Sequence, residues 1–156
     1  MNTNINARDY LEKCGIKPSL QRIAIVEYLM ENRIHPTADD IYHALCIQVP
    51  TLSDEIYNAL YPTIPTLSKT TVYNTMRLFA EQGAVLPLVI DDKNVRFDID
   101  TSCHAHFQCC ACNRVFDIPV EKIGLLNTKQ IGDLYVTETH LYYKGYCKAC
   151  RNKTAG

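Results

Sequence analysis

The chain has no tryptophan, only four phenylalanines and only six glycines in 156 residues. It also lacks an excess of one charge: sixteen Lys and Arg stand against seventeen Asp and Glu, a net of −1. Through Arg96 the balance is nine cations to eleven anions. This disfavours a protein that holds nucleic acid by bulk charge alone, so any DNA contact must come from a locally arranged surface. No apolar run approaches the roughly 18 residues of a membrane span. The first residues, Met1-Asn2-Thr3-Asn4-Ile5-Asn6, have neither the cationic nor the apolar stretch of a secretory signal. The expected location is the cytoplasm, where thiols stay reduced.

What is present in quantity is cysteine. Eight cysteines in a cytosolic chain of ordinary apolar content (47%) point to metal or redox chemistry more than to a disulfide framework. Cys109-Cys110-Ala111-Cys112 and Cys147-Lys148-Ala149-Cys150 form two C-x-x-C knuckles. Two residues between paired cysteines let both sulfurs reach one ion, and four thiolates suit tetrahedral zinc with no open position. The knuckles are separated by 34 residues, so a helix and a strand must fit between them. Cys110 is then a bystander. The bland alternative is two unrelated C-x-x-C motifs or a thiol redox pair.

Just upstream, His104-Ala105-His106 is flanked by Asp98 and Asp117. On a strand, His104 and His106 share one face because side chains alternate with period two. Imidazoles with carboxylates suit iron or manganese. His35 is distant in sequence, between two N-terminal helices. The same residues could hold a hydrolytic or oxidative metal centre, but no nucleophile elbow or phosphate loop accompanies them, and an enzyme is not expected.

The hydrophobic pattern predicts an α+β protein of two domains, 1–97 and 98–156. In the first, helices are expected over 7–14, from Ser19 with Leu20, Ile23, Val26 and Met30 inward until His35-Pro36, after the cap Thr37, and over 69–81 after the cap Ser68 until Gly83. Strands at 85–90 and 95–98 around Asp91-Asp92-Lys93-Asn94 would add the hairpin of a winged helix. Residues 39–53 and 54–68 align at a period of 15 with nine identities. This is a tandem duplication of one helix and its turn, which predicts an extra helix beside the domain. In the second domain, short strands are expected at 106–108 and 114–118, a helix from Pro119 to about Gln130, and a long strand over 134–143. The helix starting at Lys69 carries Lys69, Thr70, Thr71, Tyr73, Asn74 and Arg77 opposite the apolar Val72, Met76 and Phe79. That composition suits a DNA recognition helix and equally an ordinary amphipathic helix.

Together these segments resemble the ferric-uptake-regulator (Fur) superfamily of metal-dependent repressors, from about Ile16 to Cys150. The resemblance rests on Ile16-Lys17-Pro18-Ser19-Leu20-Gln21-Arg22, His35-Pro36-Thr37-Ala38-Asp39-Asp40-Ile41-Tyr42, Leu67-Ser68-Lys69-Thr70-Thr71-Val72-Tyr73-Asn74, Arg96-Phe97-Asp98 and His104-x-His106-Phe107-x-Cys109-x-x-Cys112. It implies a homodimer of N-terminal winged-helix DNA-binding domains and small α/β C-terminal dimerisation domains, acting on a palindromic, A·T-rich double-stranded operator. It places His35, Asp98, His104, His106 and Asp117 on the regulatory iron or manganese site, the four knuckle cysteines on structural zinc, and Tyr73 where a residue approaches bases. Asp rather than Glu at 98 and 117 is similar to the peroxide-sensing (PerR) branch, in which an iron-bound histidine is oxidised. His35 and His104 match the oxidised positions. A further metal site of some members needs His or Asp where Cys103 and Ala105 stand, so it is not expected. The duplication departs from the pattern and threatens the placement of His35.

Overall fold

The computed structural model describes residues 5–47, 67–91, 93–119, 121 and 128–154. The chain divides into two compact units, Met1–Thr101 and Ser102–Gly156.

In the first unit every helix start among the described residues is capped. α1 (Ala7–Lys13) begins after Asn6, whose side chain accepts the Asp9 N–H at 2.9 Å. α2 (Leu20–Glu31) begins after Ser19, which caps the Arg22 N–H. Its buried face is Ile25, Val26 and Leu29, whereas Leu20, expected inside, is exposed on the first turn. The helix ends at Glu31, ahead of His35-Pro36. Asn32 closes it by donating both its backbone N–H and its side-chain amide to the Tyr28 carbonyl. α3 (Ala38–Ile47) opens on a reciprocal capping box: Thr37 Oγ1 accepts the Asp40 N–H, and the Asp40 carboxylate accepts the Thr37 N–H at 2.8 Å.

α3 lies in the first copy of the duplication and buries Ile41. The second copy lies outside the described residues apart from Leu67 and Ser68, and so does the extra helix expected from it. α4 (Lys69–Glu81) follows Ser68, whose hydroxyl accepts the Thr71 N–H at 3.0 Å. Val72, Met76 and Phe79 are fully buried along it. The chain leaves α4 through Gly83 at φ 69°, with Ala84 N–H bonded back to the Phe79 carbonyl, a conformation that favours glycine. β1 (Leu86–Leu88) and β2 (Arg96–Asp98) pair antiparallel with Leu86 opposite Asp98. This hairpin is shorter than the sequence predicted. Its second strand also bridges to Thr37, and Phe97 N–H bonds the Pro36 carbonyl at 2.9 Å. The α2–α3 turn is thereby fastened to the hairpin.

The second unit is built on β3 (Ala105–Cys109), the centre of a three-stranded sheet. β3 is antiparallel to β4 (Val115–Ile118) and parallel to β7 (Tyr142–Gly145). Gly145 faces the Phe107 ring so closely that a Cβ there would stand 3.2 Å from two ring carbons. β5 (Gln130–Ile131) and β6 (Leu134–Tyr135) form a separate hairpin turned at Gly132-Asp133.

The strand predicted over 134–143 is broken, because β6 takes β5 as its partner whereas β7 needs β3, and residues 136–141 pass between the two pairings. Gln130, the predicted helix end, is a strand residue opposite Tyr135; most of that predicted helix lies outside the described residues. A terminal helix, α5 (Lys148–Thr154), was not expected. No helix among the described residues is long and apolar enough to cross a membrane.

Candidate metal centres and nucleic-acid face

The second unit brings the four knuckle cysteines together. One sulfur from each of Cys109, Cys112, Cys147 and Cys150 lies within 4.8 Å of the others. Cys112 and Cys147 are 3.9 Å apart, against about 3.8 Å for the edge of a tetrahedron with Zn–S bonds of about 2.3 Å. The first knuckle turns at Asn113, in the left-handed region at φ 57°, and bonds Cys110 N–H to the Gly145 carbonyl at 2.7 Å. The second sits at the start of α5, where Cys150 and Arg151 N–H groups bond the Cys147 carbonyl.

The protonation chemistry also suits a metal. N–H donors from Cys147 and then Cys112 lower the Cys109 thiol to about 6, and its hydrogen bond to Cys147 pushes the Cys150 thiol up to about 12. A cation that replaces the thiol protons would relieve this uneven sharing. The set fits structural zinc. Cys110 is exposed and outside the set.

Each unit also carries part of the histidine–carboxylate set. In the first unit, His35 Nε2 stands 3.4 Å from Asp98 Oδ2, and both side chains are buried. The other oxygen, Oδ1, accepts the Asp100 N–H at 2.8 Å, which fixes the carboxylate plane. His35 sits at φ 54°, a conformation rare outside glycine. Its carbonyl accepts from Arg96 Nη1 at 3.3 Å.

In the second unit, β3 sets His104 and His106 side by side with ring centroids 4.4 Å apart. The antiparallel register puts Asp117 opposite His106. Asp117 Oδ1 is 3.4 Å from His104 Nε2 and 3.7 Å from His106 Nε2. His104 Nδ1 is 2.9 Å from the Ser102 carbonyl. A carbonyl only accepts, so Nδ1 donates to it, and Nε2 is the ring nitrogen turned toward Asp117. An outer hydrogen bond on one ring nitrogen, with the other turned toward a carboxylate, is the arrangement used to orient histidine ligands in metal sites. The donor types fit iron or manganese.

The exposed face of α4 presents Lys69, Thr70, Tyr73, Asn74 and Arg77. Thr71 is half-buried and its hydroxyl is 2.7 Å from Ser68 Oγ at the cap. Residues overlooked by the sequence reading flank this face. Lys17 and Arg22 line a groove with Thr71 and Asn74, and Lys93 and Asn94 line another with Tyr73, Asn74 and Arg77. A lysine in a hairpin turn carries no sequence signal beyond its position in the wing.

Residues 51–143 match the sequence model of the family described as "Ferric uptake regulator family". The chain is 33% identical over 145 residues to the "Peroxide-responsive repressor PerR" of Staphylococcus aureus (strain Mu50 / ATCC 700699), covering 92% of this chain and 88% of that one. Its fold is similar to the ferric uptake regulator of Francisella tularensis solved with iron, at 24% identity and TM-score 0.64, over 88% of this chain and 96% of that one. It is also similar to the ferric uptake regulator of Pseudomonas aeruginosa solved with manganese, at 22% identity and TM-score 0.65, over 92% and 99% of the two chains.

Proposed function

Because this chain belongs to the ferric uptake regulator family of metal-responsive transcriptional regulators, we propose that it is a dimeric cytoplasmic repressor that senses peroxide through oxidation of a ligand histidine. The observation that carries this reading is the division of the donor set. His35 and Asp98 are held ready in the first unit, and His104, His106 and Asp117 in the second. One ion taking donors from both units would set their mutual arrangement, and DNA affinity would follow its occupancy. Asp98 and Asp117 supply charge, His104 is oriented by Ser102, His106 is set opposite Asp117 by the β3–β4 register, and His35 is held by the turn fastened to β2. Ferrous iron bound there would activate peroxide for a two-electron step in which one oxygen atom goes to an imidazole C–H of His35 or His104 and the other leaves as water. Zinc on the four cysteines would hold the second unit together.

For DNA, the exposed face of α4 would enter the major groove, with Lys17, Arg22 and Lys93 placed for the phosphates on either side. This is the local cationic surface that a net charge of −1 requires. A second copy would bring a second α4 to the other half of a palindromic, A·T-rich operator. The β5–β6 hairpin favours such a partner, since Ile131, Leu134 and Tyr135 are 61, 70 and 83% exposed on it.

Peptide mass spectrometry after peroxide treatment of the ferrous-loaded protein, beside a manganese-loaded control, tests this. The expected result is one added oxygen on the peptide holding His35 or His104, with iron only. Unmodified histidines under both metals would move the reading to an iron- or manganese-responsive repressor without peroxide chemistry. Operator affinity indifferent to metal would remove the repressor switch altogether.

A further inference from the structure

One carboxylate stands against the proposed DNA-binding face. Asp39, on the first turn of α3, reaches across to α4 with a single oxygen, Oδ1. That oxygen lies 2.8 Å from the Lys69 ammonium and accepts the Tyr73 hydroxyl at 3.1 Å. Lys69 and Tyr73 are one helical turn apart, and the ammonium is 6.0 Å from the Tyr73 ring centroid. Lys69 donation holds the Asp39 carboxyl below its usual range, and the same contact raises the Lys69 ammonium, so the pair is ionised at neutral pH. Both groups are open to solvent, and the pair contributes little to folding. Its consequence is chemical: it decides what these two side chains can offer to a nucleic acid.

A tyrosine hydroxyl has one proton to donate. While Asp39 holds it, Tyr73 has no donor for a phosphate oxygen, which only accepts. What remains is the ring, which suits the methyl group of thymine, and an oxygen lone pair, which suits the amino group of adenine or cytosine. These are base-edge features. Lys69, ion-paired, would displace fewer counterions from the backbone than a solvated lysine, and the carboxylate itself repels phosphate.

We propose that Asp39 is a specificity-determining positioning residue, which keeps Lys69 and Tyr73 from acting as sequence-blind phosphate contacts and leaves Tyr73 to read base edges. It makes the wrong complex unfavourable and leaves the correct one in place, a common route to discrimination. This rests on the DNA-binding reading given above.

The test uses full-length, zinc- and manganese-loaded protein. Wild type is first used to enrich a duplex from a random library; the enriched duplex and a scrambled duplex of equal composition are then the probes. Asp39→Asn keeps the shape and removes the charge. It should bind the scrambled duplex about 2–5-fold more tightly, the size of one exposed charge interaction. Discrimination between the two duplexes should fall. The logarithmic salt dependence should steepen by about 0.9 for each Lys69–phosphate contact released. Replacing single thymines of the enriched duplex by uracil should weaken Asp39→Ala, which also removes the acceptor of the Tyr73 proton, less than wild type. Asp39→Glu should restore discrimination, and adding Lys69→Met to Asp39→Asn should return the salt slope toward wild type.

Equal weakening on both duplexes with an unchanged slope would make Asp39 a structural brace between α3 and α4 and overturn the proposal. Unchanged binding to both would overturn it too. Enrichment of no duplex by wild type would instead remove the DNA-binding reading, and the inference with it.

Discussion

His35 Nε2 stands 3.4 Å from Asp98 Oδ2, although the tandem duplication and, among the described residues, two helices lie between them in the chain. The pairing rests on the turn that carries His35. Three links hold it: Phe97 N–H to the Pro36 carbonyl, the bridge between Thr37 and Arg96, and Arg96 Nη1 to the His35 carbonyl. All join the turn before α3 to β2, and the second copy begins beyond that turn. A residue at positive φ persists only where its surroundings over-determine it, and these links are what does so at His35.

On the proposed reading, His35→Ala should then abolish the dependence of operator affinity on manganese while leaving zinc content unchanged. Arg96→Ala tests the support beneath it. The Arg96 guanidinium reaches the His35 carbonyl and Asp91, and loss of such an outer contact costs about 10–100-fold in metal affinity. Manganese titration followed by DNA binding reads both variants. Wild-type manganese affinity in Arg96→Ala would show that the turn is held without it.

The helix bounds of the first unit were legible because they are written locally. Ser68 and Gly83 frame α4, and Thr37 with Asp40 opens α3, since caps need only neighbours in the chain. The cysteine knuckles were legible for the same reason. What the sequence did not disclose is set by distant pairing. Residues 134–143 have strand composition throughout, yet only the choice of partner divides them between β5 and β3. The link from Pro36 to Phe97 joins two backbones and leaves no mark on residue type. The Asp39–Tyr73 contact is similar: the acidic start of α3 reads as ordinary helix chemistry until α4 is packed beside it.

Ser68→Ala removes the hydroxyl that accepts the Thr71 N–H at 3.0 Å and touches the Thr71 hydroxyl at 2.7 Å. Loss of such a cap costs about 1 kcal/mol, or roughly 2–4 °C in melting temperature for a chain of this size. Because the frayed turn carries Lys69, Thr70 and Tyr73, operator affinity should fall as well. Calorimetry and gel shift on one preparation check the pair of effects. A lowered Tm with undiminished affinity would mean that this turn does not meet DNA.

Chelation of zinc should unfold the second unit more than the first. The knuckles join the β3–β4 turn to the start of α5, and the exposed β5–β6 hairpin offers little core of its own. Hydrogen exchange on the chelated protein should lose protection across 102–154 while α2 and α4 stay protected. Cys112→Ser should do the same without a chelator. Zinc must displace the proton of Cys150, whose thiol is pushed up to about 12 by its bond to Cys147, so zinc affinity should rise with pH. A metal-free second unit with full protection would refute a structural role for zinc.

The Tyr10 hydroxyl donates to the Ala84 carbonyl and so ties α1 to the segment that leads from α4 into β1. Burial first, and the nearby Cys14, Asp100 and Asp98 charges after it, push the phenol up from 10.0 to about 12. The folded state therefore keeps a proton that the unfolded chain releases. The stabilisation is fully present below pH 10 and is lost as pH rises through about 12. Cys14, also raised by burial, contributes in the same direction from a lower starting point. Tyr10→Phe should cost about 1 kcal/mol near neutrality, because the Ala84 carbonyl loses its donor. In the alkaline window its stability should fall less steeply than that of wild type, so the two curves converge. Urea unfolding followed across that window decides it: parallel curves would mean that Tyr10 ionises as freely folded as unfolded, and that its bond to Ala84 does not hold the proton.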